Sequence, residues 1–209
     1  MFNRRDVIMF SSVILVIFVI IGGFGWYYRP HIFNGLVMQS AEPAPNFTLP
    51  ATTGETVSLR SFQGQVVLLY FGYTFCPDVC PTTLADATKA LNSLGSQSES
   101  VKVIFITVDP ERDNIASMTD YVSHFHPNTI GLVPVTAEDT LTVATQYGIY
   151  YKKRDVGSNS GYLMDHTATL ILIDQLGDIR AIYPFGTTPE DIAEDLAYVI
   201  SRNQGGLYY

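Results

Sequence analysis

The sequence predicts an α/β protein: a three-layer sandwich on a mixed sheet, preceded by one N-terminal transmembrane helix. Three observations carry this reading. Apolar runs of strand length alternate with stretches of helical period, and the order closes on a hairpin and then a helix. Residues 7–28, VIMFSSVILVIFVIIGGFGWYY, carry no charge at all.

The elements follow in order. About 20 apolar residues suffice to cross a bilayer. Trp26, Tyr27 and Tyr28 end the uncharged run as an interfacial aromatic belt, and Arg4 and Arg5 precede it. The positive-inside rule then puts the N-terminus in the cytoplasm and everything after Arg29 outside. A cleaved secretory signal would have an apolar region of about 7–15 residues with a small-residue cleavage site behind it. This run is longer and lacks that site, which favours an uncleaved anchor over residues 1–29. Arg4-Arg5 alone is a weak twin-arginine match. With no room ahead of the run for an Arg-rich transit peptide, the expected location is a bacterial cytoplasmic membrane, crossed once, with the C-terminal domain on the extracytoplasmic side.

Residues 30–44 mix Pro, Gly and polar residues without periodicity, which predicts a tether. A folded domain over 45–203 and a tail at 204–209 follow. Asn46-Phe47-Thr48-Leu49 and Thr56-Val57-Ser58-Leu59 flank Thr53-Gly54-Glu55 as a hairpin with a Gly turn. Val66 to Tyr73 is a strand buried on both faces. Leu84, Ala87, Leu91 and Leu94 predict a helix from Pro81 to Leu94, stopped by Gly95. Val101 to Val108 is a second buried strand, ending in Asp109-Pro110. Asp113 or Asn114 caps a helix through about Phe125, and Thr136 with Asp139 forms a capping box for a helix through Tyr147. Thr169 to Asp174 and Asp178 to Tyr183 flank Gln175-Leu176-Gly177 as an antiparallel hairpin. Thr188-Pro189-Glu190-Asp191 opens the last helix, with Pro at its first position and acids in its first turn.

With 12 Lys/Arg against 20 Asp/Glu, the chain carries a net charge of −8. That field opposes binding to nucleic acid or anionic lipid, which both need a basic patch. The single basic run, Lys152-Lys153-Arg154, reads as a solvated loop.

The two cysteines, Cys76 and Cys80, sit between a strand and a helix in FGYTFCPDVCP. A disulfide over so short a loop removes little chain entropy, so a structural staple is a poor use of the pair. At a helix start, unpaired N–H groups and the helix dipole favour a thiolate. Four apart on a helix, the two would share a face with Cβ atoms about 5–6 Å apart. Closing a disulfide would then need local unwinding, which Pro77 and Pro81 make easier. Reduced, the pair offers two soft sulfur ligands and needs a third. Of the four histidines, His31 lies in the tether, and His124 and His126 flank Phe125 in a surface pattern. His166, in Asp165-His166-Thr167-Ala168, precedes an apolar strand, with Asp165 beside it as an outer acceptor. Among further residues, Asp78 reads as a first-turn acid or a group that touches a partner. Asp109, Arg112 and Asp113 read as turn chemistry before a recognition surface, and Met164 as core filling.

Taken together, FGYTFCPDVCP, TVDPERD at Thr107 to Asp113 and DHTATLILID at Asp165 to Asp174 resemble the Sco/SenC family. The likeness runs from about Asn46 to Ser201. It implies a thioredoxin-like fold in which Cys76, Cys80 and His166 bind copper, as Cu(I) or Cu(II). It also implies a partner, subunit II of cytochrome c oxidase or a similar copper acceptor, together with an unidentified copper donor and thiol reductant. Thr167, where the family often has Ser, and Asn114-Ile115, where it often has Thr-Pro, depart from the pattern away from the ligands. The resemblance leaves a metallochaperone and a thiol–disulfide oxidoreductase working through the Cys76/Cys80 redox pair as competing functions. A peroxidase fits poorly, because the Pro-x-x-x-Thr-x-x-Cys spacing is absent.

Overall fold

A computed structural model describes residues 14–23, 31–157 and 161–205. Residues 14–23 form helix α1, wholly apolar or Gly and exposed throughout, within a unit of its own, Met1–Ile32. The rest of the expected anchor, 7–13 and 24–28, lies outside the described residues. Among those described, no helix is long and apolar enough to cross a membrane.

The second unit begins at Phe33. The stretch expected to be an irregular tether instead supplies strand β1 (Leu36–Pro43), antiparallel to the strand formed by residues 178–184. An edge strand bonded on one side needs no alternating pattern, and the register breaks between Val37 and Glu42, so no sequence signal marks it. The predicted hairpin is β2 (Thr48–Pro50) with β3 (Thr56–Ser58). Strand β4 (Val66–Gly72) is buried at all seven positions, so cover lies on both faces of the sheet there. Helix α2 (Val79–Ser93) returns the chain to β5 (Val101–Thr107), which runs parallel to β4.

Asn114 caps α3 (Ile115–Val122), its Oδ1 accepting the Ser117 N–H at 3.0 Å. Strand β6 (Thr129–Leu132) has no counterpart in the sequence reading. It is four residues long, and its Gly131 takes the side chain of Met118 where a Cβ would stand. Thr136 and Asp139 cap α4 (Ala137–Gln146) reciprocally, as the capping box requires. The basic run, expected in a loop, lies on β7 (Tyr151–Asp155), paired with β8 (Tyr162–His166) in a separate two-stranded sheet. Its exposed charged pattern, lacking apolar alternation, is why it reads as loop. Strands β9 (Thr169–Ile173) and β10 (Asp178–Pro184) form the predicted hairpin, and Pro189 opens α5 (Pro189–Gly205). Thr188 Oγ1 accepts the Asp191 N–H there at 3.2 Å.

The main sheet has the order β1-β10-β9-β4-β5-β6, parallel at β4, β5 and β6 and antiparallel elsewhere. Helices α2 and α5 pack together, and α3 packs on β6. This register brings three chain segments to one end. Gly72 lies opposite Thr107, and Tyr70 lies opposite Leu170 near the start of β9. The cysteine loop, the Asp-Pro loop and the end of β8 therefore meet beyond the carboxyl ends of the parallel strands, where open α/β sheets bind ligands.

Candidate metal centre

The cysteine loop is pinned from beneath. Asp113 is 2 % exposed, and its carboxylate accepts the Thr74 N–H at 3.1 Å and the Thr74 and Thr107 hydroxyls at 2.5 Å each. Burial raises the Asp113 pKa, with those donors pulling the other way. The Thr107 hydroxyl oxygen also accepts the Asp109 N–H. Asp109 is 3 % exposed, so Asp109 and Asp113 brace the loop from within, while Glu111 between them faces solvent.

Cys80 lies in the first turn of α2 and has no exposed surface. Gly72 makes its place possible: a Cβ there would stand 2.7 Å from Cys80 Sγ and 2.7 Å from the Phe105 ring. Gly72→Ala is expected to cost about 1–3 kcal/mol in urea denaturation, because overpacked cores shift side chains and backbone at about that cost. An unchanged unfolding midpoint would show that the pocket yields.

Cys76 is half-buried and lies outside the helix, two residues before the N-cap residue Asp78. The expectation of two cysteines on one helical face is therefore corrected. Helix α2 begins only at Val79, and Cys76 turns back over its end so that the Cys80 N–H points at Cys76 Sγ at 3.4 Å. The Cys76 pKa falls to about 3: chiefly the Cys80 thiol donates to it, against its own burial, with His166 and the Cys80 and Asp78 N–H groups adding support. The same contact and burial push the Cys80 thiol up. Both cysteines are free.

His166 ends β8, a strand rather than the expected loop, with Nε2 3.3 Å from Cys80 Sγ. Its Nδ1 lies 3.2 Å from the Thr167 carbonyl, which fixes Nδ1 as the donor and turns Nε2 to the sulfurs. The Tyr70 and Tyr73 rings meet the imidazole edge-on, with centroids at 6.2 and 5.9 Å. Asp165 is not the outer acceptor expected; its carboxylate takes the Arg154 guanidinium at 2.9 and 3.0 Å. Asp78 holds the N-cap position without a side-chain capping bond. The donor atoms of Cys76, Cys80 and His166 all lie within 4.8 Å of one another. Cys76 and His166 border a cleft of about 280 Å³ that is walled partly by Pro77, Val79, Leu163 and Ala168.

Two sulfurs and one imidazole nitrogen form a soft donor set suited to Cu(I), while a tetragonal Cu(II) ion needs a further donor. The other candidates have local roles. His124 Nδ1 is 2.8 Å from the Asp120 carbonyl, His126 Nδ1 accepts the Asn128 N–H, and Met164 is buried in the core. The Thr74 and Thr107 bonds to Asp113 escaped the sequence reading, since nothing in the sequence says which threonines face a buried acid.

The SCO1/SenC family model matches residues 38–201. A curated relative, "Protein SCO2 homolog, mitochondrial" of Mus musculus, is 34 % identical over 160 residues, which is 76 % of this chain and 62 % of that protein. The chain thus spans less than two thirds of that mitochondrial relative. The structure of Bradyrhizobium japonicum ScoI with copper bound is 38 % identical, with a TM-score of 0.69 over 76 % of this chain and 99 % of that one. Arabidopsis thaliana ScoI, also with copper bound, is 31 % identical, with a TM-score of 0.71 over 77 % and 99 %. The thioredoxin-like mixed α/β fold of those proteins is the fold seen here.

Proposed function

The chain belongs to the SCO1/SenC family, and from that premise we propose that it is a membrane-anchored copper metallochaperone. Copper is its cargo, held by Cys76, Cys80 and His166, and its client is the binuclear copper site of cytochrome c oxidase, in subunit II or a similar acceptor. The convergence of three soft donors within 4.8 Å supports this most directly. Copper in the solved relatives supports the choice of metal. The uncharged run at 7–28 supports a single anchor in a bacterial cytoplasmic membrane, with the domain on the outer side.

Titrating the full chain in detergent with Cu(I) and Cu(II), anaerobically, tests the reading. Wild type is expected to bind one ion tightly. His166→Ala should weaken binding by more than the roughly 10–100-fold that loss of an outer partner costs, because it removes a ligand. Equal binding by both proteins would sink the Cys2His assignment.

The asymmetry of the pair, one half-exposed sulfur with a low pKa beside a buried one, supports a second reading as a thiol–disulfide oxidoreductase that reduces the client's cysteines. Dithiol exchange should survive His166→Ala while copper retention fails. Loss of both together would show that the two activities are not separable.

A further inference from the structure

The β7–β8 hairpin carries His166, yet neither of its strands bonds to the six-stranded sheet. Besides an exposed ion pair from Lys153 on β7 to Glu111 at 2.7 Å, its polar fastening to the Asp-Pro loop gathers at Tyr162, the first residue of β8. The Tyr162 hydroxyl donates to Asp109 Oδ1 at 2.7 Å. Arg112 donates from Nε to Asp109 Oδ2 at 2.6 Å and from Nη1 to the Tyr162 carbonyl at 2.9 Å. The same guanidinium lies 3.6 Å from the centre of the Tyr162 ring. It also reaches the cysteine loop, at 4.9 Å from the Phe75 ring and 5.7 Å from the Tyr73 ring. One cation thus ties the Asp-Pro loop, the histidine strand and the cysteine loop together, and its side chain is only 20 % exposed.

We infer that Asp109, Arg112 and Tyr162 are positioning residues, a clamp that holds β8 so that His166 meets the two sulfurs. None of them donates an atom to the cluster of Cys76, Cys80 and His166. Their effect travels along β8, on which His166 lies four residues from Tyr162, about 13 Å at strand rise. Arginine suits the task because its planar fork bonds in its plane while its faces stack on rings. Lysine would keep the charge and lose that arrangement. The inference deepens the copper reading and rests on it for the metal arm of its test.

The test uses the full chain in detergent as wild type, Arg112→Lys, Tyr162→Phe and His166→Ala. Tyr162→Phe removes one hydroxyl and guards against a variant that fails to fold. In metal-free protein, both clamp variants should speed amide exchange of residues 162–166 by about tenfold, the equivalent of one lost hydrogen bond, with β4 and β5 unchanged. With Cu(II) as the probe, they should bind about 10–100-fold more weakly and shift the thiolate-to-copper charge-transfer band toward that of His166→Ala. Adding Arg112→Lys to His166→Ala should cost no further affinity, because the clamp acts through the imidazole. Wild-type exchange and wild-type spectra in both clamp variants would overturn the inference, as would affinity losses that simply add to that of His166→Ala. If wild type and His166→Ala bind copper alike, the copper reading fails, and the exchange data still decide whether the clamp holds the strand.

Discussion

Iodoacetamide at about pH 6 is expected to alkylate Cys76 and spare Cys80, at a rate that barely changes from about pH 5 to about pH 8. The thiolate is the nucleophile, and a free cysteine near pKa 8.5 would gain about tenfold in rate per pH unit over that range. Cys76, held at about 3 chiefly by the Cys80 thiol, is already ionised throughout. Cys80 is protonated and without exposed surface, so it is protected twice. The linkage has a definite sign. The folded-state pKa of Cys76 lies below its unfolded value, so its contribution to stability is full above the unfolded pKa and is lost as pH falls toward about 3. Against Cys76→Ser, the stability advantage should shrink steadily on acidification. Peptide mapping of the alkylated chain, and urea midpoints across pH, check the two halves. A rate that climbs tenfold per unit up to pH 8 would contradict the geometry.

Asp113→Ala is expected to be among the costliest polar changes in the domain, about 3 kcal/mol by urea denaturation. It strands the Thr74 N–H and two hydroxyls, each worth about 1–3 kcal/mol when buried without a partner, less what entering water returns. Asp113→Asn, which keeps one acceptor oxygen, should cost less. The pH dependence runs opposite to that of Cys76. Burial raises the folded pKa of Asp113, so its contribution is full below the unfolded pKa and is lost as pH rises through the folded value. Asp113→Asn should therefore remove a decline in stability over the weakly acidic range. The same decline in wild type and variant would assign the titration elsewhere.

What the sequence revealed tracks burial. Val66 to Tyr73 and Val101 to Val108 read correctly as strands because continuous apolar runs have few alternatives, and the Thr136/Asp139 and Thr188-Pro189 helix starts read correctly because capping is local chemistry. Strands β1 and β6 did not, since their pairing is supplied by distant partners, and β7 did not because its exposed, charged run lacks apolar alternation, which also hid its partner β8. At the site the residue types were legible, but their arrangement was not. Spacing of four implied one helical face, whereas helix α2 begins after Cys76. Adjacency suggested that Asp165 supports His166, whereas a cross-strand arginine claims that carboxylate. The roles of Thr74, Thr107 and Tyr162 depend on contacts across 39, 6 and 53 residues of chain, and only the fold supplies those.

The contrast between a half-exposed Cys76 and a sealed Cys80 gives the site a front and a back. Of the two sulfurs, Cys76 is the one that a group brought by a partner can reach. On the proposed copper-carrying function, the more exposed Cys76 sulfur would be displaced first and the buried Cys80 last. On the alternative, oxidoreductase function, Cys76 would form the mixed disulfide and Cys80 would resolve it. Under either proposed function the order of bond exchange would follow which sulfur faces outward, and it would be the same for both.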